Sequence, residues 1–439
     1  MTPAQCAVYR PEKMDAVRAI LASATQATLI PRGLGRSYGD TALNDSNAVI
    51  DATRLDRMID FDPESGVLEC ESGVSLADIL AVFVPRGYFL PVTPGTKFVT
   101  VGGAIANDIH GKNHHRDGTF CQHVESLELL TASGERLICS PSENADIFWA
   151  TAGGIGLTGF IQSARIRLQP VESAYMKVDY VRTANLDETL AAMARTDAEY
   201  PYAVCWIDCL ARGAALGRSV LMNGLHARAA DLSGAAEAKP FELPRAKRRS
   251  IPFEFPSFVL SPLSIRAFNA VVYAAHPSRF GCIVDYDKYF YPLDQVQHWN
   301  RMYGKRGFAQ YQATFPKSEV TGLKRLLERL SLSQRASFLA VLKCFGPANP
   351  GPLSYPFEGY TLALDLPNHG VLTEFLRELD HIVLDHGGRI YTAKDCATTA
   401  ASFAQMYPRL DEFKAIQTRL DPQRRLSSDM ARRLGIVEG

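Results

Sequence analysis

The chain has 439 residues, 46% of them hydrophobic and 21% charged, with 47 basic residues balancing 47 acidic ones. This is an ordinary globular composition, and the length predicts two domains rather than one core. Zero net charge excludes bulk nucleic-acid binding, and no apolar run reaches the ~20 residues that span a bilayer, which leaves a soluble or peripheral protein.

The first twenty residues, MTPAQCAVYRPEKMDAVRAI, are broken by prolines and charges and lack the apolar region of a secretory signal. Nine cysteines scatter from Cys6 to Cys396 without CxxC spacing. That usage predicts a reducing, cytoplasmic setting, with Cys205 and Cys209 as buried thiols rather than metal ligands.

Residues 11–24 carry Met14, Val17, Ile20 and Leu21 at helical spacing. ATLIPRG predicts a buried strand running into a glycine-rich loop. AVIDATRLDRMIDFD and SGVLECESGVSLADIL predict strands and then a helix that stops at Gly87. SLELLTASGERLI has the pattern of a β-hairpin with a Ser-Gly turn. Further on, AVCWIDCL, FGCIVDYDKYFY, GFAQYQATFP, SFLAVLKCFG and YTLALDLP predict strands, and SEVTGLKRLLERLS and VLTEFLRELDHIVLDHGG predict helices. Their order predicts an antiparallel sheet covered by helices on one face. The stretch 226–258, with RAKRRS at 245–250, predicts a solvated loop; a lid or a contact with an acidic lipid headgroup is the sharper alternative.

Two glycine motifs stand out. Gly154-Ile155-Gly156-Leu157-Thr158-Gly159 spells GxGxxG, but a helix pattern precedes it and a strand pattern follows, the reverse of a dinucleotide fingerprint. PRGLGRSYGDT (31–41) instead follows a strand and supplies Gly33, Gly35 and Gly39 within seven residues. Such a loop can aim successive backbone N–H groups at a diphosphate. A second pair of loops, Thr93–Thr96 and Thr100–Gly103, strengthens the cofactor reading over a plain turn.

Residues 31–41, 100–115 (TVGGAIANDIHGKNHH) and 151–159 (TAGGIGLTG) resemble the FAD domain of the vanillyl-alcohol-oxidase/p-cresol-methylhydroxylase (PCMH) type. GRSYGD, DIHGKNHH, FAQYQ, YTAKD and SDMARRL more closely resemble the family of flavin subunits of decaprenylphosphoryl-ribose 2'-epimerase, over nearly the whole chain. The resemblance implies an α+β, two-domain PCMH-type FAD-binding fold with an inserted antiparallel-sheet substrate domain. Its expected boundaries are 1–172 for the FAD domain, 173–388 for the insertion and 389–439 for the segment completing the FAD domain. Arg36 stands where covalent members often place a histidine, so FAD is expected to be non-covalent.

The resemblance further implies that FAD is held by Arg32, Gly33, Leu34, Gly35, Arg36, Ser37, Tyr38, Gly39, Gly95, Thr100, Val101, Gly102, Gly103, Asn107, His110, Ile161 and Tyr391. Lys394 matches an active-site lysine suited to stabilising charge at the flavin or binding the substrate hydroxyl; from the sequence alone, pairing with Asp395 is the simpler reading. His110 titrates near neutrality and suits proton relay, and Tyr38 is expected to reach flavin or substrate. His110, His114 and His115 lack the acidic or cysteine partners of a metal site. Lys112, Trp206, Gln310, Gln312, Lys343 and Asp365 are expected to line the substrate pocket; Gln310 and Gln312, two apart on a strand, share a face. Ala363 falls where the family's covalently inhibited cysteine lies, so adducts there are not expected.

The expected reaction is FAD-dependent oxidation of a sugar secondary hydroxyl, resembling that of polyprenylphosphoryl ribose to its 2'-keto form in arabinan and cell-wall synthesis. A short-chain NAD(P)-dependent reductase is the expected partner, with peripheral membrane contact left open. An alditol or aldonolactone oxidase using oxygen, and a flavin- or lipid-binding protein without turnover, are the rival readings.

Overall fold

Short runs of buried aliphatic residues open the chain as strands. β1 (Ala7–Tyr9), β2 (Leu29–Arg32) and β3 (Ala48–Asp51) form a parallel sheet in the order β1-β3-β2. A parallel pair needs a crossover, and the helix Met14–Ser23 supplies it, packing Val17 and Leu21 with Leu29 and Ile50. From β2 to β3 the chain passes through the glycine-rich stretch instead of an α-helix. The computed structural model describes residues 4–244, 249–333, 335 and 339–438.

The second sheet is antiparallel: β4 (Met58–Asp62), β5 (Val67–Glu71), β6 (Val124–Leu130), β7 (Arg136–Cys139) and β8 (Phe160–Arg167) lie in the order β4-β5-β8-β6-β7. β6 and β7 are the expected hairpin, Leu127 opposite Cys139, with Gly134 turning at φ +83°. The helix Leu76–Phe83 starts on a capping box between Ser75 and Asp78, and the chain turns at Gly87 in the left-handed region. The helix Ala145–Thr151 precedes the GxGxxG glycines and β8 follows them, the order that argues against a dinucleotide fingerprint.

The third sheet has eight strands among the described residues. They are β9 (Tyr175–Thr183), β10 (Tyr202–Ile207), β11 (Ser219–His226), β12 (Arg279–Asp285), β13 (Phe308–Pro316), β14 (Ala340–Phe345), β15 (Gly359–Pro367) and β16 (Arg389–Ile390). Their order is β12-β9-β11-β10-β14-β15-β13-β16, antiparallel throughout. The period-2 alternation of strands then separates two rows. Leu221, Cys205, Leu342, Leu362 and Ala313, in register across five strands, are fully buried. The helices Leu186–Thr196, Val320–Ser333 and Leu372–Asp385 pack against this sheet. The adjacent row, Val220, Trp206, Val341, Ala363 and Gln312, faces a cavity.

The structure also corrects the sequence reading. In FGCIVDYDKYFY the strand ends at Asp285, and Tyr286–Phe290 is helical. β9, β11 and the helix Pro262–Ala275 are additions; β11 carries Gly224, where a Cβ would meet the Tyr289 ring at 2.6 Å. The end of the expected loop 226–258 is tied down by Arg249–Ser250, which pairs with Val296–Gln297; residues 245–248 of its basic run lie outside the described residues. The chain end returns to the first sheet, where the Leu29 N–H donates to Arg425 O and the Ser427 N–H to Leu29 O. No helix among the described residues is long and apolar enough to cross a membrane.

Candidate active site

A cavity of about 1510 Å³ is walled by the loop after β2, by residues 93–112 and by the open face of the eight-stranded sheet. Pockets for one small ligand are typically about 300–1,000 Å³, so this one has room for a cofactor and a substrate. Its sheet wall changes character along its width. Val204, Trp206, Val220 and Met222 make one end apolar, while Gln310, Gln312 and Lys343 make the other polar.

The first glycine loop is built for close approach. Gly35 sits at φ +61°, and a Cβ on Gly33 would lie 2.1 Å from Thr100 Oγ1. The backbone N–H groups of Leu34, Gly35, Arg36 and Ser37 donate to no acceptor among the described residues, yet all four residues line the cavity. A run of free N–H groups facing a cavity fits a diphosphate. The loop is pinned from behind: the Tyr38 N–H donates to Ala393 O at 2.8 Å, and Arg433 pairs with both Asp40 at 2.6 Å and Asp395 at 2.9 Å. Lys394 is thereby freed of its sequence neighbour Asp395. Its ammonium lies 4.3 Å from the centre of the Tyr38 ring.

Opposite this loop, His110 is buried between two side chains. Gln312 Nε2 donates to its Nε2 at 3.0 Å, and Lys343 Nζ lies 3.2 Å from its Nδ1. The Gln312 amide is oriented by a second bond, Nε2 to Thr361 Oγ1 at 3.1 Å, while Thr361 itself donates to Ala313 O. Tyr391, whose N–H donates to Gln312 O, ties the C-terminal segment to the sheet, and its hydroxyl donates to Asn107 O at 2.8 Å.

Burial sets the charges here. It pushes Lys112 and Lys343 down to about 7 and Lys394 down to about 8 against the opposing pull of Asp365. His110 is held well below the ordinary histidine range by burial and then by Lys343. Asp365 rises to about 6 through burial, countered by hydrogen bonds from Gln310 and Tyr303 and by Lys394. Weakly solvated amines beside a neutral imidazole are the ingredients of proton transfer near neutral pH.

Most expected residues converge on the cavity: Arg32, Gly33, Leu34, Gly35, Arg36, Ser37, Tyr38, Gly95, Thr100, Gly102, Gly103, Asn107, His110, Lys112, Ile161, Trp206, Gln310, Gln312, Lys343, Tyr391 and Lys394. Three do not. Gly39 packs against Asp395, whose carbonyl a Cβ would meet at 2.1 Å. Val101 is fully buried in the core. Asp365 lies under Gln310, its carboxylate accepting from Gln310 Nε2 at 2.6 Å and from Tyr303 OH at 3.0 Å. His114 and His115 turn away to Gly346 N and Tyr200 O.

Sequence reasoning missed the aromatic wall. Lys112 donates to Tyr289 O and lies 4.2 Å over the Tyr289 ring, and Thr93 and Tyr291 hydroxyls meet at 2.5 Å. Asp108 was also missed: fully buried at φ +39°, it accepts from Asn349 and Ser354 at 2.5 Å each, fixing the backbone between Asn107 and His110.

Comparison with known proteins bears on this geometry. The FAD binding domain family matches residues 6–140, which include both glycine loops, and the D-arabinono-1,4-lactone oxidase family matches residues 364–434, which include Lys394. Decaprenylphosphoryl-beta-D-ribose oxidase of Mycolicibacterium smegmatis is 40% identical over 96% of this chain and 92% of its own. An uncharacterized protein in the mprA 5' region of Streptomyces coelicolor is 33% identical over 83% of this chain and all of its own. Cytokinin dehydrogenase 10 of rice is 31% identical over 39% of this chain.

Proposed function

The chain belongs to the decaprenylphosphoryl-ribose oxidase family of FAD-dependent oxidoreductases, and from that premise we propose that it oxidises the 2'-hydroxyl of a polyprenylphosphoryl ribose to the ketone. The single observation that carries this reading is the cavity that joins a loop of free backbone N–H groups to a polar cluster and then to an apolar end. Diphosphate, sugar and polyprenyl chain find matching surroundings in that order.

The glycine loops and Asn107 would hold the cofactor, with Lys394 and Tyr391 lining the same cavity. FAD bound there would supply a two-electron acceptor for the hydride released from the sugar carbon. The protein moves the other particle. As the C–H hydride leaves, the hydroxyl proton passes to the one lone pair of neutral Lys343, which gives up its contact with the His110 Nδ1–H as the ammonium forms. Gln310, Gln312 and Lys112 orient the sugar and its phosphate, and the wall of Trp206, Val220 and Met222 excludes water from the apolar chain.

The cofactor is non-covalent in this reading. Arg36 has no nucleophilic ring nitrogen, and both nitrogens of His110 are engaged by Gln312 and Lys343. The domain division proposed is 1–172 and 389–439 around FAD, with 173–388 over the substrate. Completing 2'-epimerisation requires hydride return to the keto sugar, the task of a short-chain reductase with a nicotinamide cofactor. Polyprenylphosphoryl ribose deuterated at the 2' carbon tests the assignment. Slower flavin reduction than with deuterium at a neighbouring carbon supports it; equal slowing at another carbon, or none anywhere, contradicts it.

A further inference from the structure

The helix Pro262–Ala275 is apolar on both faces, although such helices are normally buried. Its inner face, at 265, 269 and 272, is anchored. Ile265 and Asn269 are buried, and Asn269 Nδ2 donates to Asp208 at 2.7 Å. Val272 and His276, at the end of the helix, wall the apolar end of the cavity.

The outer face holds Leu263, Ala267, Val271 and Ala274 at helical spacing, with Phe268 beside them. Leu263 is 79% exposed and Val271 67%. Five residues past the helix end, in edge strand β12, Phe280 is 70% exposed. Large exposed apolar side chains grouped in this way mark a contact surface.

Charge indicates what the surface contacts. From Arg249 to Val284 the sequence contains one acidic residue, Glu254, against Arg249, Arg266 and Arg279, all three exposed. Apolar anchors beside exposed arginines suit the boundary between phosphate headgroups and acyl chains.

We propose that the helix Pro262–Ala275, together with Phe280, docks this protein on an anionic lipid bilayer. The apolar end of the cavity then adjoins the lipid, and a polyprenyl chain reaches it along Val272 and His276. The substrate part rests on the function proposed above; the docking itself does not.

The test uses the full-length FAD-loaded protein with vesicles of phosphatidylcholine, with and without phosphatidylglycerol. The expected result is flotation with the anionic vesicles, reduced by about tenfold in Leu263→Glu/Val271→Glu while FAD content and melting midpoint stay unchanged. Turnover of a short-chain, water-soluble substrate should also stay unchanged in that variant, whereas turnover of a bilayer-embedded long-chain substrate falls. Wild-type protein that stays off both kinds of vesicle, or a variant that binds them as well as wild type does, overturns the proposal. So does a dimer that the double substitution dissociates in the absence of vesicle binding. Protein that floats normally but oxidises no polyprenylphosphoryl sugar supports the docking surface and contradicts only the proposed substrate.

Discussion

The amine of Lys343 lies 3.2 Å from Nδ1 of His110, on the far side of the ring from the Gln312 amide. Thr361 fixes that amide with its NH₂ toward Nε2, so the ring's one proton sits on Nδ1 and points at Lys343. An ammonium has no lone pair to accept it. The arrangement therefore requires neutral Lys343, in keeping with its descent to about 7 through burial.

A pH dependence follows. Below pH 7 Lys343 is protonated and unable to take the hydroxyl proton, so flavin reduction should fall as the pH drops through about 7. Lys343→Met should slow reduction by roughly 10²-fold or more and flatten this limb. Stopped-flow rates from pH 5 to 9 in wild type and variant check it, about two units on either side of the inflection.

Lys394 faces the Tyr38 ring and not Asp395. Lys394→Met should retain FAD but reduce it by about 10²–10³-fold more slowly, the usual loss when a charge-stabilising group is removed. Retained yellow colour with slow bleaching is the expected signature, and an unchanged rate would remove Lys394 from the mechanism.

Thr100 Oγ1 accepts from the Gly103 N–H and cannot turn aside freely from a new Cβ only 2.1 Å away. Gly33→Ala should therefore weaken FAD binding by at least about tenfold, or 1.4 kcal/mol, measured by fluorescence titration of apoprotein. Acid precipitation of wild type should leave the colour in the supernatant, as a non-covalent cofactor requires.

Ala363 lines the cavity between Gln312 and Val341 in register. Compounds that bond to a cysteine at this position should form no adduct with wild type. Ala363→Cys should gain one, seen as a mass increase on the peptide that contains it.

Much of the site was legible because short motifs carry local geometry. The GRSYGD loop follows a strand, and Gln310 and Gln312 share a face by alternation alone. Asp365 enters the expected pocket through the family resemblance, and nothing in the sequence reveals that Gln310 and Tyr303 lie over its carboxylate. Lys394 and Asp395 are neighbours in the chain, yet Arg433, 38 residues further on, takes the carboxylate. The helix Pro262–Ala275 was invisible for a different reason: both faces are apolar, so it offers no contrast for periodicity to detect.

The most direct test of the account is anaerobic mixing of the purified flavoprotein with polyprenylphosphoryl ribose while flavin absorbance is followed. The account predicts rapid bleaching, with a 2'-keto sugar formed in equal amount to the flavin reduced. Flavin that stays oxidised with that substrate but bleaches with free alditols or aldonolactones would contradict it.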